Sequence, residues 1–183
     1  HNSIYILNMS FKAIVATCKD NGIGINNELP WKKIDEDMKL FSKLTKGNGN
    51  NSIIMGKNTF LSIGRLLPDR FNIIISKSLN ENSYKDSITP EMKILDSIET
   101  CIDFCKENQF SENFVIGGES IYREFLNLNI IDTIFETKIY EKYNCDTFFP
   151  SVPLKYRLDT IRHIRKNPTC IFLKWQRSPY HYY

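Results

Sequence analysis

Short apolar runs rich in β-branched residues recur along the chain, at 13–17, 52–55, 71–75, 114–116 and 133–140. Continuous apolar runs of this length suit strands buried on both faces. Between several of them lie helical patterns, at 34–45, 58–63, 97–107 and 120–126. Strands alternating with helices predict an α/β domain with a largely parallel central sheet. The last third reads differently. Runs at 133–140, 156–165 and 170–177 follow one another without a clear helix, and Asn167-Pro168 marks a turn between the last two. The expected fold is therefore a single α/β domain: a central, mostly parallel, twisted β-sheet with an antiparallel C-terminal strand pair, flanked by about four helices. The polar stretches 46–51 and 79–90 read as surface loops. The domain is expected over 11–177, with 1–10 as an N-terminal extension and 178–183 as a tail or the start of a linker.

Composition narrows the class. A chain of 183 residues with 42% hydrophobic and 25% charged positions has enough apolar content for one substantial core and is not a disordered segment. The net charge of +3 is small and its basic residues are scattered, so nucleic acid is not an expected partner. No apolar stretch approaches the ~20 residues that span a membrane. The opening segment has only a short apolar patch, Ile4 to Leu7, without a basic flank, and does not read as a signal peptide. The chain starts at His1, which points to a trimmed or excised segment, with Met9 as an internal start. Five cysteines without framework spacing predict reduced thiols in a cytoplasmic setting. Cys101 and Cys105 fall four apart on a helical pattern and read as buried helix thiols, since no second ligand pair follows them. The three histidines form no metal or triad pattern, and no metal is expected.

Two familiar fingerprints fail. Gly22-Ile23-Gly24 starts like a dinucleotide motif, but Asn27 replaces the third glycine and Leu29-Pro30-Trp31 follows in place of a helix. Gly56-Lys57-Asn58-Thr59 resembles the end of a phosphate loop but lacks the upstream glycine and the hydroxyl directly after lysine.

Four constellations carry candidate chemistry. On a helical wheel with Ile34 at zero and about 100° per residue, Met38, Leu40, Phe41 and Leu44 share one apolar arc with Ile34. Asp37 falls inside that arc, at about 300°, whereas Asp35 and Glu36 fall outside it. Acids in a first turn complement the helix dipole, which accounts for Asp35 and Glu36 but not for the direction of Asp37. A carboxylate facing a core costs several kcal/mol unless a partner meets it. The second constellation is a pair of strand ends. The strand Ile53-Ile54-Met55 runs into Gly56-Lys57-Asn58-Thr59, and Phe114-Val115-Ile116 runs into Gly117-Gly118, each where a helix begins. Free backbone N–H groups there suit phosphates, and two such sites suggest a pyrophosphate-containing dinucleotide, although turn chemistry and capping explain either site alone. Third, Ser76-Lys77 at a strand end could take an additional phosphate or be a solvated loop. Fourth, Arg70, after Leu67-Pro68-Asp69, could clamp a carboxylate with two parallel bonds or form a structural salt bridge.

In this order these segments resemble dihydrofolate reductase, over about three quarters of the chain. The matching pieces are Ile14-Val15-Ala16, Gly22-Ile23-Gly24 through Leu29-Pro30-Trp31, and Asp37-Met38-Lys39-Leu40-Phe41. Ile54-Met55-Gly56-Lys57-Asn58-Thr59-Phe60, Ser62-Ile63-Gly64-Arg65, Leu67-Pro68-Asp69-Arg70 and Asn72-Ile73-Ile74-Ile75-Ser76 follow. Val115-Ile116-Gly117-Gly118, Ile121-Tyr122 and Asp146-Thr147-Phe148-Phe149-Pro150 complete the set. No single piece decides; the ordered set is specific.

The resemblance implies NADPH-dependent reduction of 7,8-dihydrofolate, in the service of one-carbon metabolism and thymidylate synthesis, and sensitivity to antifolates. It makes Asp37 the buried acid that bonds the pterin ring. Glu36 would take that place under the shorter bacterial spacing from Trp31. Trp31 would hold an active-site water, and Leu29 would lie in a mobile lid. Phe41 and Ile63 would wall the substrate's aromatic part, Arg70 would clamp its glutamate α-carboxylate, and Thr137 would partner the acid. Val15, Ala16, Ser62, Leu67, Ile116 and Tyr122 complete the implied substrate positions. For the cofactor, Ala16, Ile23 and Gly24 match nicotinamide contacts. Lys57, Thr59, Gly117, Gly118, Ser120 and Ile121 match phosphate-binding positions, and Gly56, Asn58, Ile116, Glu119 and Tyr122 are further implied cofactor positions. Ser76 and Lys77, with Lys57, suit the 2′-phosphate of NADPH, and Ile75 is a further implied cofactor position. The family joins its glycine pair by a cis peptide. Leu66, Phe135 and Leu29 depart from common family residues without removing a catalytic group. In some lineages this reductase is fused ahead of thymidylate synthase, so a fused or associated synthase domain is an implied partner. Two rival readings are a pyrimidine reductase of riboflavin synthesis, which needs neither the acid nor the clamp, and a catalytically silent nucleotide-binding domain.

Overall fold

The apolar runs become the inner strands of one sheet. A computed structural model of the chain describes residues 9–79 and 91–179. Its strands are β1 (Phe11–Thr17), β2 (Gly22–Gly24), β3 (Asn51–Gly56), β4 (Phe71–Ile75), β5 (Met92–Leu95), β6 (Glu112–Gly117), β7 (Ile131–Ile139), β8 (Thr147–Phe148), β9 (Tyr156–Lys166) and β10 (Thr169–Arg177). The helices are α1 (Asp35–Lys46), α2 (Lys57–Ile63), α3 (Ile98–Asn108) and α4 (Glu119–Asn127). Eight strands form the main sheet in the order β5-β4-β3-β6-β1-β7-β10-β9, and β2 and β8 form a separate ribbon. From β5 to β7 every pairing is parallel, whereas β10 pairs antiparallel with both β7 and β9. The predicted architecture, including its antiparallel ending, is the one observed.

Alternate strand residues go to opposite faces, as the period of two requires. Phe11, Ala13, Val15, Ile54 and Ile73 pack with Cys101, Cys105, Phe125 and Leu126, so α3 and α4 cover one face. Ile14, Ile53, Met55 and Ile74 pack with Phe60 and, partly buried, Leu40, Phe41 and Leu44, so α1 and α2 cover the other. α3 starts in a capping box, the Ser97 hydroxyl accepting from the Thr100 amide at 3.1 Å. Cys101 and Cys105 are buried thiols on that helix, as their spacing predicts.

The structure departs from the sequence reading in four places. Strand β5 was not legible: four residues at a sheet edge offer too short an alternation to stand out beside a polar stretch. The stretch 46–51 is not all loop, since Lys46 ends α1 and Asn51 opens β3. Asn51 is buried, its amide donating to the Thr45 carbonyl at 3.0 Å and its carbonyl accepting from the Glu112 amide at 3.1 Å. The ribbon β2–β8 gives the Gly22 and Gly24 motif its physical reason. A Cβ on Gly24 would lie 2.5 Å from Thr147 Oγ1, and one on Gly22 would lie 2.3 Å from Cys145 Sγ. Met38, placed on the apolar arc, is 40% exposed. Of the expected loop 79–90 only Leu79 is described; most of the expected N-terminal extension and tail also lie outside the described residues. No helix among the described residues is long and apolar enough to cross a membrane.

The core on the α3–α4 side is the better test of this packing, because it is remote from α1. Phe125 is fully buried, with its ring 5.8 Å from that of Phe11. Phe125→Ala should lower the unfolding free energy by about 3–5 kcal/mol, read from urea melts with an unchanged m value.

Candidate active site

The apolar side of α1 is only partly covered. Leu40, Phe41 and Leu44, Ile63 at the end of α2, and Leu66 and Leu67 after it all pack on the second core cluster while keeping some surface open. An incompletely covered apolar wall is what an aromatic ligand needs. Asp37 lies on this side, half-buried in the first turn of α1. Burial raises its carboxyl above the usual aspartate range, and a hydrogen bond from Thr137 partly offsets the rise. Among the described residues, no cation lies within ion-pair distance of it. Thr137 is held in register between Ala16 of β1 and Phe172 of β10. Tyr122, fully enclosed beneath the site, donates to the Ile14 carbonyl at 2.7 Å. Its burial and the Asp37 charge push the phenol up, which keeps it neutral. Glu36 is turned elsewhere: its carboxylate pairs with Arg165 of β9 at 3.0 Å and anchors the start of α1.

Trp31 is buried against Cys18, Ile34, Ile139 and Cys170, with the Tyr143 ring edge-on at 5.9 Å. The segment from β2 to Trp31 is tied to the segment before β8. The Asn26 amide donates to Asp146 Oδ2 at 3.0 Å, and the Asp146 amide donates to the Gly24 carbonyl at 2.9 Å. Leu29 lies on this segment and is 54% exposed. Asn26, Asn27 and Glu28 face Asn58, Leu61 and Ser62 across a cavity of about 270 Å³.

Arg70 is buried, yet among the described residues no carboxylate lies within ion-pair distance of it. Its Nε donates to the Pro68 carbonyl at 2.8 Å and one terminal nitrogen donates to Thr45 Oγ1 at 3.0 Å. Thr45 in turn donates to the Phe41 carbonyl at 2.7 Å, which fixes the guanidinium to α1. Asn72 holds the turn before it, accepting from the Leu67 amide and donating to the Leu67 and Arg70 carbonyls. Burial depresses the guanidinium's pKa. The geometry is that of a cation held in place by neutral oxygens, its burial offset only in part by the nearby Asp69 charge, rather than of a structural salt bridge.

The two glycine-bearing strand ends are neighbours, because β3 pairs with β6 and Met55 stands opposite Gly117. Neither α2 nor α4, which start there, has a side-chain cap. Gly117 has a φ of 130°, and the Gly117-Gly118 peptide is cis. A Cβ on Gly117 would lie 3.3 Å from Thr59 Oγ1, and one on Gly56 would lie 3.2 Å from Ile121 Cγ1. The glycines thus keep the backbone open at a junction already closed on its other sides by Thr59 and Ile121. Ile116 is half-buried just before the pair, Ser120 is exposed, and Ile23 packs on the first core cluster. The Glu119 side chain is committed elsewhere, accepting from the Phe148 amide at 2.6 Å.

Farther along the sheet edge, Ile75, Ser76 and Lys77 line a cavity of about 280 Å³ with Asp96, Ser97, Ile98 and Glu124. Ser76 Oγ accepts from the Ser78 and Leu79 amides at 3.2 and 3.0 Å, and Lys57 Nζ reaches Ser78 Oγ at 3.1 Å. Ser78, Asp96 and Thr45 are the site-forming residues that sequence reasoning missed; Asp146 stood in a matching segment without a role assigned to it. The Ser-x-Ser spacing at 76–78 signals a local hydroxyl turn; nothing local signals the other two.

The comparisons agree with one another. A family profile described as Dihydrofolate reductase matches residues 10–177. The dihydrofolate reductase of Staphylococcus haemolyticus is 35% identical over 175 residues, covering 96% of this chain and 93% of that protein. That of Drosophila melanogaster is 34% identical over 157 residues, covering 81% and 84%. That of Gallus gallus is 31% identical over 158 residues, covering 80% of each. With the sheet order, the α1 carboxylate and the paired strand-end glycines described above, these matches place the chain in the dihydrofolate reductase family.

Proposed function

We propose that this chain reduces 7,8-dihydrofolate to 5,6,7,8-tetrahydrofolate, using NADPH, with hydride delivered to C6 and a proton to N5. The observation that carries the reading is Asp37: a half-buried carboxylate facing an open apolar wall, with a threonine hydroxyl as its partner and, among the described residues, no cation within ion-pair distance. A flat heterocycle with an amidine edge supplies the two donors such a carboxylate lacks. Thr137 would orient the carboxylate, and Phe41 and Ile63 would sandwich the rings and tail. Arg70 would take the tail's carboxylate on its free edge. Asp37 favours the protonated form of the bound ring, and Trp31, closed in by the Leu29 segment, limits water around N5 to ordered molecules.

The strand-end junction fits a dinucleotide. Gly56, Gly117 and Gly118 leave backbone open beside Thr59, and uncapped helix starts offer N–H groups to phosphate oxygens. Ala16, Ile23 and Gly24 would border the nicotinamide; Ser76, Lys77 and Lys57 would take the 2′-phosphate. When bound, the cofactor supplies the hydride. Antifolates that present the same amidine edge would compete for Asp37.

Asp37→Asn should lower turnover at neutral pH by ~10²–10⁴-fold while NADPH binding, read by fluorescence, survives. The same variant should melt at a higher temperature than the parent, because an ionised carboxylate held with a raised pKa opposes folding. That gap should be full at neutral pH and close as pH falls towards the ordinary aspartate range, where both states of the parent are protonated. Arg70→Leu should weaken dihydrofolate binding by ~1.5–3 kcal/mol, and a pterin lacking the glutamate tail should lose little. Equal losses for both ligands would make Arg70 a structural residue only. Lys77→Ala should raise the KM for NADPH roughly tenfold or more and leave that for NADH nearly unchanged, in steady-state assays followed at the nicotinamide absorbance.

A further inference from the structure

Outside the substrate and cofactor positions, the most unusual grouping is a pair of thiols at the root of the Leu29 segment. Cys18 directly follows β1, Cys145 directly precedes Asp146, and their sulfurs are 3.6 Å apart across 127 residues of chain. Cys18 is fully buried, whereas Cys145 is partly exposed. Both are free thiols. Gly22 lies over both sulfurs, and a Cβ there would come within 2.3 Å of one and 2.8 Å of the other. The thiols therefore sit beneath β2, between the two segments that the ribbon joins by hydrogen bonds. Cys18 N donates to the Gly22 carbonyl at 2.9 Å and Phe149 N to the Asn21 carbonyl at 2.8 Å. Cys170 lies in the same apolar cluster.

We propose that Cys18 and Cys145 are a redox modification site: a hydroperoxide converts them to a disulfide that locks the segment from β2 to Trp31 against the segment leading into β8. Exposure sets the order of events. The Cys145 thiolate attacks one peroxide oxygen, the O–O bond breaks, and an alcohol, or water from hydrogen peroxide, leaves. Cys145 is then a sulfenic acid. The Cys18 sulfur attacks the Cys145 sulfur, the S–O bond breaks, and water leaves with the Cys18 proton. Two thiols lose two electrons and the hydroperoxide gains them. Closure from the present spacing to a bond of ~2.05 Å needs a movement of about 1.5 Å, within reach of two loop-flanking positions. Burial, the Cys18 contact and the nearby Asp146 charge push the Cys145 thiol up to about 11, against a lowering contact from the Gly24 backbone. Its thiolate is therefore scarce at neutral pH, and the site responds to sustained rather than brief oxidation. The Asn26 to Asp146 hydrogen bond then gains a covalent neighbour, so the segment carrying Leu29 can no longer open freely. The kinetic half of this proposal rests on the reductase reading above; the covalent half does not.

The experiment treats the whole chain, first reduced, with hydrogen peroxide. Dihydrofolate turnover is read on one portion of the treated chain; in a second portion the remaining thiols are alkylated under denaturing conditions, and intact mass and linked tryptic peptides are read. The expected result is a loss of two hydrogen masses with three thiols alkylated instead of five, a peptide linkage joining Cys18 to Cys145, and a roughly fivefold or greater fall in turnover that dithiothreitol reverses. Cys145→Ser should abolish both the linkage and the reversible fall. Because Cys145 is partly exposed, this variant is expected to fold, and a thermal melt checks it. Linkage to Cys170 instead, or oxygen addition at Cys145 without linkage, overturns the site. Linkage without a change in turnover overturns the lock. If the untreated chain shows no reductase activity, the reductase reading fails while the mass measurement still decides the thiol pair.

Discussion

The site depends on a carboxylate turned inward with no counter-ion within ion-pair distance among the described residues. Asp37 leaves the first turn of α1 towards the sheet, where burial opposes its charge and a single hydroxyl only partly relieves it. Its neighbour Glu36 meets Arg165 and Asp35 meets Lys33, so the same helix turn holds paired and unpaired acids side by side. The unpaired one is the one that faces the open apolar wall. A fold keeps such a residue against its own stability when a ligand supplies what the protein withholds. Arg70 shows the complementary case, a buried cation fastened by Pro68 and Thr45, with the charge of Asp69 nearby but no carboxylate within ion-pair distance among the described residues. The two share one support, since Thr45 binds Arg70 from the last turn of the helix that carries Asp37 in its first.

The sheet arranges the second half of the site. Because β3, β6 and β1 are parallel, their C-terminal ends lie on one edge, and the residues that follow them converge there. Gly56, Gly117 and Gly118 come from two adjacent strands, and Ala16 comes from the next. On the proposed reading, this edge would offer backbone N–H groups to a phosphate-bearing reductant beside the apolar wall that would take the flat oxidant. The antiparallel end of the sheet supplies Thr137, whose position between Ala16 and Phe172 sets where the Asp37 carboxylate can rest.

Much of this was legible in the sequence, for physical reasons. The inner strands announce themselves because strands buried on both faces must be apolar throughout. The direction of Asp37 follows from helical periodicity, and the strand-end glycines from their place before helices. What escaped were features created by contacts distant along the chain. The β2–β8 ribbon has no strand-like composition; its glycines are required by Thr147 and Cys145, more than a hundred residues away. β5 is a strand only because β4 offers it an edge. Met38 belongs to the apolar arc by angle but is 40% exposed. That no acid among the described residues forms an ion pair with Arg70 could not be read either, since a sequence does not say which acids come within reach of an arginine.

The most direct test is a carbon-detected NMR titration of the Asp37 side-chain carboxyl, with and without a bound diaminopteridine. Without ligand, the carboxyl should titrate above the ordinary aspartate range; with ligand, it should stay ionised throughout the accessible acidic range while the ring carries the proton. An Asp37 signal that titrates like an exposed aspartate and ignores the ligand would contradict the account.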